Sequence, residues 1–102
     1  MLELRPNCEM CDKDLPPAAT EARICSYECT FCADCVDRVL HNVCPNCAGG
    51  FVPRPIRPKI DRREGVGLVH QPASAQRRSL KYSLDDFAAQ TAVTKGIAPQ
   101  DR

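Results

Sequence analysis

The chain has no tryptophan, only two tyrosines and three phenylalanines, and no apolar run near the ~20 residues needed to cross a bilayer. The first shortage leaves little aromatic material for a large core or for stacking on bases, and the second excludes a membrane-spanning helix. The opening residues, MLELRPNCEM, lack the basic start and the apolar stretch of about 7–15 residues that mark an export signal. A reducing, cytoplasmic setting is therefore expected. No glycine-rich phosphate loop occurs, and Ser26, Ser74, Ser79 and Ser83 have no credible base, so no nucleophilic or phosphoryl-transfer enzyme is expected.

What is abundant is cysteine. The eight cysteines are separated by 2, 13, 3, 2, 2, 8 and 2 residues, which sorts them into the close pairs Cys8/Cys11, Cys25/Cys29, Cys32/Cys35 and Cys44/Cys47. A two-residue gap lets a tight turn aim both sulfurs at one ion, at about 2.3 Å for zinc, and two pairs complete a tetrahedral shell. Eight thiolates thus imply two Zn2+ ions. The competing uses are a disulfide scaffold, which needs an oxidising compartment, and a redox dithiol or iron–sulfur site. Metal also answers a problem of size. The cysteines end at residue 47, and a domain of about 50 residues buries too little surface to offset its chain entropy unaided. Structural zinc can supply the difference, at roughly 10–16 kcal/mol per site.

The formal charge of +1 conceals two unlike halves. Residues 1–50 carry four Lys/Arg against eight Asp/Glu, a net −4, whereas residues 51–102 carry ten against five, a net +5. An acidic domain is a poor grip for phosphates, and a basic tail suits either a nucleic acid or its own acidic domain.

Along the chain, Leu2 and Leu4 suggest a short extended arm, and Cys8 to Cys11 a first knuckle. Pro16 and Pro17 exclude a continuous helix before Cys25. Residues Ile24 to Phe31 suit a small hairpin carrying Cys25 and Cys29, with Ile24, Tyr27 and Phe31 available to a minimal core. Val36, Val39, Leu40 and Val43 recur at helical spacing, and Asp34 is the expected N-cap, with Asp37 as a short version of the capping-box acid. From Phe51 the sequence FVPRPIRPKIDRREG favours an extended, solvated linker, and Pro55 with Pro58 also fits PxxP recognition. Residues 65–79 have the composition of disorder. A last helix is signalled by Ser83 as N-cap, Asp85 and Asp86 in the first turn, and Lys95–Gly96 at the end. Leu84, Phe87, Ala88 and Thr91 line one face of it, and Tyr82 and Phe87 stand at staple positions. About eleven residues make a marginal helix alone, so it is expected to dock on the zinc domain or on a partner.

The order and spacing of the ligands resembles a RING-type cross-brace, with Met10 as the apolar first-knuckle residue, a helix after the sixth ligand and Pro45 after the seventh. That resemblance implies a first site of Cys8, Cys11, Cys32 and Cys35 and a second of Cys25, Cys29, Cys44 and Cys47, with cysteine where the fourth ligand is often histidine. Sequential pairing, as in LIM-like tandem fingers, is the structural alternative, and His41 is left unliganded. Residues 1–58 are also similar to a bacterial family of small cysteine-rich proteins catalogued as domain of unknown function 1272, a label that brings no activity.

The fold expected is a small metal-stabilised α+β unit. It comprises a two-zinc RING-like domain over 1–50, a Pro/Arg-rich, mostly disordered linker over 51–82, a short amphipathic helix over 83–96 and a disordered tail over 97–102. Four thiolates close each shell, so both zincs are expected to be structural and the chain non-enzymatic. The leading function is a protein-interaction module whose rigid surface includes Met10, Leu15 and Val43, with a protein partner and no membrane. Nucleic-acid association through Arg54, Arg57, Lys59, Arg62 and Arg63 is the alternative. RING-type ubiquitin-ligase activity ranks below both, because there is no tryptophan before the seventh ligand and Ala48 stands where a basic residue is common.

Overall fold

A computed structural model describes all residues from Met1 to Arg102. The elements in order are β1 (Ala22–Ile24), β2 (Thr30–Cys32), α1 (Ala33–Cys35), a π-helical turn (Val36–Leu40), β3 (Val52–Pro53), α2 (Leu84–Thr94) and a 3-10 turn (Pro99–Asp101). The sheet order is β2-β1-β3, antiparallel throughout, with Arg23 opposite Phe31 on one side and Pro53 on the other. Pro53 is tolerated because β3 is an edge strand, where a missing N–H breaks no interior ladder.

The hairpin of β1 and β2 is the one the sequence foreshadows, but its strands lie outside the cysteines, so Cys25 and Cys29 sit in the connection. Ile24 and Phe31 are buried there. Tyr27 is not: at 71% exposure it projects from the hairpin tip rather than joining the core. The core itself gathers six cysteines with Leu15, Ala22, Phe31, Val36, Leu40 and Phe87, so sulfur does the space-filling that larger apolar residues do elsewhere. Phe51 closes one side, its ring edge-on to Phe31 at 5.4 Å.

The first helix departs from expectation at its start. Its N-cap is Cys32, and Asp34 lies within the first turn, where it pairs with Arg38 at 2.9 Å instead of capping. Val36 and Leu40 face the core from the π-helical turn, and His41 and Asn42 end it in left-handed conformations with φ of 49° and 59°. Asn42 then uses its side-chain oxygen to accept from Phe51 N–H at 2.9 Å. Leu15 and Val43, each 1% exposed, are core residues and offer nothing to a surface.

Residues 51–82, read from sequence as a linker, run as a strap across the first half. Arg54 is 4% exposed, and its guanidinium donates to the carbonyl oxygens of Arg5, Leu15 and Pro16 at 2.8–3.0 Å. Burial with no carboxylate partner lowers its pKa. Arg57 donates to Leu2 O and Gln71 O. Farther on, Ser74 N–H donates to Leu4 O, which fixes the N-terminal arm against the strap.

The helix α2 begins where its capping residues say. Ser83 is the N-cap and its N–H donates to Asp86 Oδ2 at 2.7 Å, half of a capping box. It rests on the domain through Phe87, with Thr91 and Thr94 also buried, whereas Leu84 and Tyr82, expected on the packed side, are exposed.

Candidate metal centres

The turns that carry the cysteines are built alike although their sequences differ. After the first knuckle the chain turns back through Asp12, and after the last through Ala48, both at φ of 65°. In each the N–H of that residue donates to the carbonyl of the first cysteine, Asp12 to Cys8 at 2.9 Å and Ala48 to Cys44 at 2.7 Å. The left-handed residue is what reverses the chain tightly enough for the two sulfurs to converge. Glu28, at φ of 67°, makes the equivalent reversal between Cys25 and Cys29.

The sulfurs form two groups. The Sγ atoms of Cys8, Cys11, Cys32 and Cys35 all lie within 4.8 Å of one another, and those of Cys25, Cys44 and Cys47 form a second such group. The first pair in sequence is thus joined by the third, brought in by the end of β2 and by α1. Cys11 and Cys32 are 3.8 Å apart, the edge length of a tetrahedron whose metal–sulfur bonds are about 2.3 Å. The donor set fits a thiophilic ion such as zinc. Of the four, only Cys11 is exposed.

Cys29 is placed less tightly. It lies outside the group formed by Cys25, Cys44 and Cys47, and Asn46 Nδ2 donates to its sulfur at 3.4 Å. His41 belongs to neither group.

Backbone N–H groups converge on the thiols as they would on thiolates. Tyr27 N–H reaches Cys25 Sγ at 3.3 Å and Gly49 N–H reaches Cys47 Sγ at 3.4 Å. Nearby backbone N–H groups also pull thiol pKa values down: those of Cys11, Cys32 and Met10 act on Cys8, that of Lys13 on Cys11, and those of Asn46 and Cys47 on Cys44. Each such donor favours the charged sulfur, which is the form that ligates metal. The thiols also act on one another. Donation by Cys29 and Cys44 holds Cys25 down to about 3, whereas the thiol neighbours Cys25 and Cys29, with burial, push Cys44 well above the ordinary range. In the first group burial raises Cys8; for Cys11 the same effect is outweighed by Lys13 N–H and the neighbouring thiols, and its pKa falls. Sulfurs this close cannot all be charged without a cation between them.

Side chains that no sequence pattern singled out hold this arrangement in place. Glu9 is buried, accepts from Thr30 N–H and pairs with Arg5 at 3.0 Å, tying the first knuckle to β2. Burial lowers the Arg5 pKa, but Glu9 more than restores it. Asn7, also buried, donates to Cys8 O and Arg78 O and accepts from Arg78 N–H. Only its position immediately before the first cysteine could have drawn attention to it.

No helix of the chain is long and apolar enough to cross a membrane. Comparison with known proteins finds a match over residues 1–57 to the family described as "Protein of unknown function (DUF1272)". An uncharacterized protein of Rhizobium meliloti is 60% identical over 58 residues, which cover 57% of this chain and 69% of the relative. No solved structure matches. The family match takes in all eight cysteines together with Arg54 and Arg57, and the chain belongs to that family of proteins of unknown function.

Proposed function

We propose that the protein is a non-enzymatic interaction module held in shape by two zinc ions in a RING-like cross-brace. Cys8, Cys11, Cys32 and Cys35 hold the first ion. Cys25, Cys44 and Cys47 hold the second, and Cys29 swings in to complete its shell. Two four-thiolate shells leave no open position for water or substrate, so the metals serve the fold.

The observation that carries the interaction reading is the strap beside β3. Arg54 points inward while Val52 and Ile56, on either side of it, are exposed, as are Pro53, Pro55 and Pro58. A stiff, proline-rich ridge with outward apolar side chains on a metal-braced base is a preorganised contact surface, because little chain entropy remains to be lost on binding. Tyr27 adds a second exposed apolar side chain at the hairpin tip. The alternative, nucleic-acid association, has fewer cations than the composition suggests. Arg54 and Arg57 are spent on carbonyl oxygens, and Arg77 on Asp12 and Asp14. Lys59, Arg62 and Arg63 remain for that role. Ligase-like activity has only the ligand order in its favour.

The test is affinity capture from the native host with the intact chain and an Ile56→Ser variant, each with and without nuclease. A protein retained after nuclease and lost with Ile56→Ser supports the module. A signal abolished by nuclease moves the nucleic-acid reading ahead, and capture indifferent to Ile56 removes the ridge from consideration.

A further inference from the structure

The strap continues past residue 76 along the first knuckle, and there its contacts are those of a bound peptide. Arg77 pairs with Asp12 at 2.9 Å and Asp14 at 2.7 Å. Arg78 exchanges hydrogen bonds with the Asn7 amide, giving its carbonyl at 2.7 Å and its N–H at 3.1 Å. Leu80 N–H then donates to Glu9 O at 2.9 Å, and its side chain packs on the core beside Met10. Residues 77–80 thus attach to the knuckle through an arginine ion pair, a side-chain amide that grips the Arg78 backbone at both its N–H and its C=O, and one backbone bond at Leu80, contacts of the kind by which domains take up peptide segments.

Beyond this point the fit loosens. A cavity of about 420 Å³ opens between the strap and the first metal centre, lined by Met10, Cys11, Cys35, Val39, Leu80 and Leu84. Another, of about 240 Å³, lies between Val39 and His41 on one side and Ala88 and Thr91 of α2 on the other. Val39 and Leu84 line both, and Phe87, 5% exposed, lines the second, while Tyr82 and Leu84 on the approach are exposed. One aromatic anchor beside a cavity, with Thr91 and Thr94 as its only other buried residues, does not lock an eleven-residue helix whose own stability is marginal. The domain beneath it has a brace of its own in the cysteine groups.

We propose that residues 77–94 are a displaceable self-ligand covering a peptide-binding face made by Asp12, Asn7, Glu9, Met10 and Val39. The partner that face admits is a protein segment repeating the chemistry of the latch. It has a basic residue for Asp12 and Asp14, an extended apolar residue pairing with Glu9 O, and then an acid-capped helix presenting one aromatic ring. The latch extends the interaction reading and rests on it for its biological use.

The test uses the zinc-loaded full chain and a dye-labelled synthetic peptide of residues 77–95, followed by fluorescence anisotropy. Ala89 is exposed on α2, so Ala89→Pro breaks the helix without altering the face below it. The peptide is expected to bind Ala89→Pro and Phe87→Ser at least ~10-fold tighter than the wild type, since 1.4 kcal/mol of latch affinity is already a factor of ten. Adding Met10→Ser to Ala89→Pro is expected to weaken that binding. Equal affinity for wild type and both variants overturns the latch, as does loss of zinc from Ala89→Pro, because a latch leaves the metal domain intact. No outside partner enters this experiment, so its failure leaves the Ile56-dependent capture unaffected, and failure of that capture leaves the latch standing.

Discussion

Residues 1–57 and residues 58–102 are held by different means. The first stretch contributes eleven of the twelve residues in the core cluster, and half of the cluster is cysteine; the second contributes Phe87. The second stretch instead attaches through arginine side chains, amide pairs and one aromatic ring. Loss of a metal ligand in the first region is therefore expected to undo its structure, whereas loss of a contact in the second is expected to release only the second. The family match ends at residue 57, where this change of construction occurs.

The sharpest way to test that contrast is to remove a ligand. If the cysteine groups hold zinc as proposed, Cys32→Ser or Cys44→Ser opens a shell, and with roughly 10 kcal/mol or more per structural zinc at stake the first region is expected to unfold. Metal content by mass spectrometry under native conditions and amide exchange over residues 1–57 report it; a folded Cys44→Ser protein with two zincs would sink the assignment. Chelation should have the same effect. Acidification should too, and the sign is fixed by the ligands: zinc takes thiolates, so falling pH lets protons compete and releases metal, and rising pH restores it.

A smaller loss is expected from Arg54→Met, which leaves the carbonyls of Arg5, Leu15 and Pro16 without their donor. At ~1–3 kcal/mol for each buried group left unpaired, a net destabilisation of about 3 kcal/mol is expected in urea unfolding. Arg54→Lys should fail to rescue it, because an ammonium lacks the planar fork that reaches separate acceptors. Rescue by lysine would mean that charge alone matters there.

Phe87→Ala is expected to remove about 2 kcal/mol, and all of it from the second region. Amides of α2 should exchange freely while those of the hairpin keep their protection. Protection lost in both regions would show that the division at residue 57 is false.

The smallest effect runs the other way. Ala48 holds a left-handed φ of 65° that a Cβ disfavours, so Ala48→Gly should stabilise the first region by about 1 kcal/mol, read as a raised melting temperature of the zinc-loaded protein. No gain, or a loss, would indicate that the last knuckle relaxes on metal binding.

These regions also differ in how far they can be read from sequence. The cysteine spacing is a direct record of geometry, since a two-residue gap has few ways to be useful, and it sorted the thiols into close pairs; that the first pair meets the third was implied by the RING-type resemblance and not by spacing. The bounds of α2 were equally legible because Ser83 and Asp86 act locally on backbone groups within one turn. Cys29 was less so: spacing puts it in a pair, but its approach to Cys47 depends on how the hairpin tip lies over the last knuckle. Leu15 and Val43 were assigned to the surface, Val43 although it closes the apolar helical stripe, yet apolar residues beside cysteine turns are what such a small core is built from. The path of the strap was illegible. Arg54 and Arg57 bind main-chain carbonyls, and a carbonyl carries no residue identity for a pattern to register.

The alternation of the sulfur groups has a consequence for how this unit can be inherited. A break in the chain anywhere from residue 12 to residue 31 separates Cys8 and Cys11 from Cys32 and Cys35, and a break anywhere from 26 to 43 separates Cys25 from Cys44 and Cys47. The two spans overlap, so no cut between the first knuckle and the last leaves both groups whole. Recombination can therefore carry the segment only as one indivisible cassette, while the sequence after residue 57, which holds no cysteine, lies outside that constraint.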